Sequence, residues 1–160
     1  MPSSRAPHPH PRALRRRPLR TADEIAAAGL ISPERVAEIE SVATRYAVAI
    51  TPALVDLIDP TDPEDPIARQ FVPDGRELTS TPSERDDPIG DDAHAPIKGI
   101  VHRYPDRVLL TPILHCPVYC RFCFRRARVG GDEAILNDSD LAAALDYIRT
   151  RDQVWEVVIT

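Results

Sequence analysis

No run of about 18 or more apolar residues occurs in the chain, so no segment reads as a membrane-spanning helix. The opening residues hold no apolar stretch of the kind a secretory signal needs, and export is not expected. Cysteine is scarce. The three present are an odd number, which leaves one thiol over in any disulfide scheme. Lysine is scarcer still, with Lys98 the only one. Acidic residues are missing from residues 1–20, which carry Arg5, Arg12, Arg15, Arg16, Arg17 and Arg20, so a net charge of −5 leaves −11 on the remainder. What is present, 42% apolar and 28% charged over 160 residues, is the mix of one soluble globular domain.

Three regions follow from composition and pattern: 1–20, 21–100 and 101–160. The first is rich in proline, histidine and arginine with little to bury, and reads as a disordered basic arm. A solvated tail is expected there rather than a nucleic-acid contact. Residues 21–58 read as helical. Thr21 and Glu24 form a capping-box pattern, and Gly29 is placed to stop the first helix. Ser32 and Pro33 open a second helix, whose apolar face runs through Val36, Ile39, Ala43, Tyr46 and Ile50. Thr51 and Pro52 start a short third helix through Leu54, Leu57 and Ile58. Seven prolines between Pro60 and Pro96 then forbid long regular elements, although the pieces 67–71 and 86–90 can dock as turns.

Beyond residue 100 the pattern changes. Val108, Leu109, Leu110, Ile113 and Leu114 make a continuous apolar run, interrupted by Pro112, that suits a strand buried on both faces. Asn137 or Asp138 caps a helix with Leu141, Leu145 and Ile148 on one face. A second buried strand is expected over 154–160. Strand, helix and strand form a βαβ unit with parallel strands.

All three cysteines lie in the loop after the first of these strands, as Cys116-x3-Cys120-x2-Cys123. Thiolates suit iron–sulfur clusters, zinc and copper(I). Three on one loop can hold three corners of a cubane cluster and leave one iron open, where a four-cysteine site closes every iron. Scattered core thiols are the plain alternative, against which the clustering speaks. A Cys3His zinc site is the sharper one. His115 stands directly beside Cys116, an awkward place for a fourth tetrahedral ligand. An iron–sulfur electron-transfer module is a third.

The cysteine spacing, with Phe122 before the last cysteine, resembles the cluster loop of radical S-adenosylmethionine (SAM) enzymes. The wider stretch is more specific. His102-Arg103-Tyr104-Pro105-Asp106-Arg107-Val108-Leu109-Leu110, the cysteine loop, Arg125-Arg126, and the preceding Asp87-Pro88-Ile89 and Ile97-Lys98-Gly99-Ile100 resemble the lysine 2,3-aminomutase family. The resemblance is dense over residues 87–126 and looser over 22–86 and 132–160.

The resemblance implies an α/β fold, the start of a radical SAM partial (β/α) barrel preceded by an α-helical region and truncated after the second core strand. It implies a 4Fe-4S cluster on Cys116, Cys120 and Cys123, with SAM on the open iron and Phe122 against its adenine. It implies pyridoxal 5′-phosphate (PLP) near Arg103 and Arg107, and a substrate α-carboxylate on Arg125. Planar guanidinium forks suit both anions. The activity implied is migration of an amino group from C2 to C3, started by a 5′-deoxyadenosyl radical. The partners implied are an amino acid, a one-electron reductant such as flavodoxin or ferredoxin, and further copies of the chain. No membrane or nucleic acid is expected, and the reducing cytoplasm is the expected compartment.

The family's PLP-attaching lysine, its Gly-Gly-Asp-Pro stretch for SAM, the aspartates that read the substrate side chain and its zinc cysteines have no counterpart here, and nothing maps Lys98 to the first role. The expectation is a fragment, inactive alone, whose substrate is open among lysine, glutamate, arginine and a protein-bound lysine.

Overall fold

The computed structural model describes residues 17–131 and 134–160. The basic arm expected over 1–20 lies for the most part outside them. At its end Leu19 exchanges two backbone hydrogen bonds with Ile50, at 2.9 and 3.0 Å.

Helix α1 spans Ala22–Ala27. The Thr21 hydroxyl accepts the Glu24 N–H, and the Glu24 carboxylate accepts the N–H groups of Arg20 and Thr21. Gly29, at φ 74°, follows the C-cap Ala28 and ends the helix in a conformation that costs glycine little. The second helix differs from its expected start and end. Pro33–Arg35 form a 3₁₀ turn, and the Ser32 side chain makes no cap bond. Helix α2 then runs over Val36–Arg45 and stops there. Tyr46, Val48 and Ile50 continue in extended form, all three buried, because Ile50 pairs with Leu19. Spacing by four could not separate this segment from a further helical turn, and the Leu19–Ile50 bridge, a distant contact, is what ends the helix pattern.

Helix α3 spans Pro52–Val55. With α1 and α2 it encloses one core, of Ala22, Ile25, Ile31, Ile39, Val48, Ile50 and Ile58. The proline-rich stretch holds no element longer than four residues. Helix α4, Ala68–Phe71, packs Ile67, Ala68, Phe71 and Val72 on that core. The Asp65 carboxylate receives the N–H groups of Ile67 and Ala68 at 2.9 and 2.6 Å, and these bonds hold it below the usual carboxylate range. Asp74 and Glu77 form a second capping box on the 3₁₀ turn Gly75–Leu78.

The sheet has three strands in the order β1-β2-β3, namely Ile100–Tyr104, Arg107–Leu110 and Glu156–Ile159. β1 and β2 form an antiparallel hairpin turning at Pro105 and Asp106, while β2 and β3 are parallel, with Leu109 opposite Val158. Helix α5, Asp138–Arg149, connects the parallel pair, and the Asn137 side chain caps it by accepting the Asp140 N–H at 2.8 Å. The expected βαβ unit is therefore present, joined by a strand, β1, that was not anticipated.

Two packing expectations need correction. The α5 face against the sheet is Ala144, Tyr147 and Ile148, which meet Ile100, Val108 and Leu110, whereas Leu145 is exposed. β3 is not buried on both faces, since Val157, Val158 and Ile159 are exposed. It is the edge of the sheet, and among the described residues only β2 lies beside it. The α/β class stands as a small open mixed sheet with an α-helical layer before it. Among the described residues no helix is long and apolar enough to cross a membrane.

Candidate functional site

The cysteine loop leaves the C-terminal end of β2, the side on which parallel α/β folds carry their active-site loops. Its base is closed by backbone pairing. Leu114 N–H bonds Ala134 O, Leu136 N–H bonds Pro112 O at 3.0 Å, and Gly130 N–H bonds Leu114 O at 3.0 Å. Consecutive turns fill the interior, with Cys123 N–H on Cys120 O and Arg126 N–H on Cys123 O.

All three cysteines are free thiols, Cys116 exposed and the other two half-buried. Burial pushes the Cys120 thiol up, and the neighbouring Cys123 and Cys116 add to the shift. As a donor set they fit an iron–sulfur cluster, being three soft ligands on one anchored loop. In this geometry their side chains do not converge, and among the described residues no three His, Cys, Asp or Glu side chains form a metal-holding group. His115 is turned to a different partner, its Nδ1 lying 3.3 Å from the hydroxyl of buried Tyr119. Phe122 presents its ring to solvent at 69% exposure.

Arg121, inside the motif, carries no sequence signal that separates it from the other arginines of the loop. It is buried, and it bonds Glu77 through Nε and Nη2 at 3.0 and 2.7 Å and Ala47 O through Nη1 at 3.0 Å. Its N–H bonds Gln70 O. Arg126 stacks over Tyr46, 4.6 Å from the ring centre. Together these contacts dock the loop on the helical layer. An open cleft of about 660 Å³ lies beside it, between Arg45, Tyr46, Arg85, Phe122, Cys123 and Arg126.

Two of the three candidate arginines, Arg103 and Arg107, belong to one face of the sheet. Ile100, Val108 and Leu110 meet α5, so alternation sends Val101, Arg103, Arg107 and Leu109 to the opposite face. There Arg103, Arg107, Asp91, Leu109 and Val158 line a recess of about 120 Å³. That is room for an oxyanion but below the roughly 300 Å³ where organic-cofactor pockets begin. Arg107 is already paired, in two-pronged fashion with Asp106 and at 3.2 Å with Glu156. Its guanidinium holds the Asp106 carboxyl down at about 2. Arg103 Nη2 meets Asp91 Oδ1 at 3.1 Å and Ile89 O at 2.6 Å. Arg125 reaches the same carboxylate, Nη2 to Asp91 Oδ2 at 3.7 Å, and its Nη1 donates to the Thr160 hydroxyl at 3.3 Å just past β3. The structure thus brings Arg103 and Arg125 to one carboxylate, sets Arg107 along the recess from them, and leaves Phe122 and Cys123 on the separate cleft.

The site therefore combines a buried acid, arginines at the free face of a mixed sheet and a thiol-rich loop at the C-terminal end of its central strand. Comparison with known proteins makes this specific. No family model matches the chain. The chain is 34% identical over 142 residues to the L-lysine 2,3-aminomutase of Acetoanaerobium sticklandii, covering 89% of this chain and 34% of that protein. It is 41% identical over 113 residues to the L-lysine 2,3-aminomutase of Clostridium subterminale, covering 71% of this chain and 27% of that protein. It is also 34% identical over 122 residues to the glutamate 2,3-aminomutase of Clostridioides difficile, covering 76% and 29%. The chain belongs to the lysine 2,3-aminomutase family and spans about a third of the length of the curated relatives it matches.

Proposed function

We propose that this chain carries the cluster loop and part of the anion-binding face of a radical SAM, PLP-dependent amino-acid 2,3-aminomutase. The observation that supports it best is the meeting of Arg103 and Arg125 at Asp91, on the sheet face turned away from α5. In a (β/α) barrel that face is the interior, and residues 101–160 are read as its beginning. The substrate class is an α-amino acid, in keeping with relatives named for lysine and for glutamate.

Cys116, Cys120 and Cys123 would hold the 4Fe-4S cluster, and Phe122 offers an exposed ring for the adenine of SAM. Arg103 and Arg107 would take the phosphate of PLP, and Arg125 the substrate carboxylate. When bound, the cluster with SAM supplies a hydrogen-abstracting radical and PLP spreads the unpaired electron of the substrate. The work of this chain's own residues is placement. Two parallel hydrogen bonds from Arg125 fix the carboxylate and hence the carbon two bonds away. An error of about 1 Å in such placement costs roughly a hundredfold in rate. Arg107 must give up part of its pairing with Asp106 or Glu156 to receive a phosphate. A small one-electron donor and a reducing compartment belong to the same reading.

Anaerobic reconstitution with iron and sulfide tests it. About four irons per chain are expected, as a cubane requires, with the brown absorbance lost in Cys120→Ala. One zinc per chain and no iron would sink the proposal.

A further inference from the structure

Asp91 has no local duty. It precedes the 3₁₀ turn Asp92–His94 at the N-cap position, yet its side chain makes no cap bond. Asp87 does that work, accepting the N–H groups of Asp91 and Asp92 at 2.9 and 2.8 Å through its two oxygens. The Asp91 carboxylate is only 6% exposed and is left to face the sheet, where each oxygen meets a different arginine. Those arginines come from separate elements, Arg103 from β1 and Arg125 from the turn beyond Cys123. A buried carboxylate between two guanidiniums draws both inward, and it leaves one positive charge unmatched. Arg103 meets both of its acceptors through Nη2, so a further anion would be met at Nη1 or at Nε singly, or would share Nη2. Arg107, across the recess, is tied to Asp106 and Glu156 and lies outside this arrangement.

We propose that Asp91 is a positioning residue that yokes Arg103 to Arg125, so that an anion arriving at one is felt by the other. This rests on the reading of Arg103 and Arg125 as the phosphate- and carboxylate-receiving groups. Without the shared carboxylate the two guanidiniums would repel and part, and the spacing between the two anion sites would no longer be set. The geometry separates this role from a fold-supporting one, because Asp87 and not Asp91 holds the turn.

The test is side-chain NMR of the arginine-labelled full chain, titrated with inorganic phosphate. In the unaltered protein, phosphate should shift Arg103 and also Arg125. In Asp91→Asn, which keeps the shape and removes the charge, both arginine signals should move toward free-arginine positions while Arg107 stays in place, and phosphate should no longer shift Arg125. Asp91→Glu should restore the coupled shift. As a second approach that leaves Asp91 intact, Arg103→Ala should displace the Arg125 signal. Unchanged Arg103 and Arg125 signals in Asp91→Asn, or an Arg107 signal that collapses with them, would overturn the yoke. A coupled pair that phosphate leaves unmoved would keep the yoke as a structural link and overturn its role in transmitting ligand binding, together with the phosphate role of Arg103.

Discussion

Arg121 and Glu77, forty-four positions apart, form a two-pronged ion pair with both side chains about nine-tenths buried. The pair joins the cysteine loop to the 3₁₀ turn Gly75–Leu78, and Arg126 approaches the same carboxylate at 3.8 Å. The backbone between Cys120 and Phe122 is therefore held from below, while the thiols themselves stay accessible.

Glu77→Ala should destabilise the chain by about 3–5 kcal/mol, because it leaves the buried Arg121 charge without its partner. Replacing both residues by apolar ones of similar volume should cost far less, for the same reason. Chemical denaturation measures both. The single variant should also label faster at Cys120 with a thiol reagent. A Glu77→Ala protein as stable as the parent would show the pair to be incidental.

Gly130 sits at φ 81°, and a Cβ there would lie 2.5 Å from Ala47 Cβ and 2.9 Å from Tyr119 Oη. Gly130→Ala should therefore lower stability by about 1–3 kcal/mol, through backbone strain and overpacking together. The shift in denaturation midpoint reads this out. Gly131, where a Cβ would meet nothing within 4 Å, is the control.

The Arg107 side chain holds the Asp106 carboxyl at about 2, against an ordinary value of 3.8. A depressed carboxylate favours the fold above its ordinary value and loses that contribution as pH falls toward the folded one. The window here is from about 4 down to about 2. Carboxyl-carbon NMR should find the Asp106 midpoint near the lower limit, and Arg107→Leu should return it toward the ordinary range. A normal midpoint in the parent protein would mean that the Asp106–Arg107 pair does not persist in solution, freeing Arg107 for other anions.

In a complete aminomutase carrying this motif, Arg125→Lys should keep iron and SAM binding and weaken amino-acid binding. Lysine retains the charge but not the fork. Loss of a charge-assisted pair is worth about 1.5–3 kcal/mol, or roughly one to two orders of magnitude in affinity. Substrate titration with the cluster spectrum as control decides it. Normal binding with lost iron would assign the residue to the loop's architecture instead.

Much of the local structure was legible because its causes are local. The Thr21–Glu24 box, the Gly29 stop and the Asn137 cap are bonds within four residues, and they form as their spacing implies. The parallel β2–β3 pair with a helix between them followed from two apolar runs of strand length. β1 was missed because His102, Arg103 and Tyr104 carry no apolar alternation, and pairing with β2 through a tight turn makes the strand.

The sequence by itself determined the Thr21 and Asn137 caps, the βαβ order, the thiol triplet at the end of a strand and, through its motif, the family. The tertiary structure decided where the charges go. Any arginine here has 25 carboxylates to choose from. Pairing energies at the surface are too small and too alike for spacing to select among them. Burial makes the selection, by removing water from a few pairs. It sets Arg121 on Glu77, and both Arg103 and Arg125 on Asp91, whereas the exposed Arg107–Asp106 pair joins neighbours in the chain. It also leaves β3 exposed, since an apolar strand is covered only where another layer lies over it.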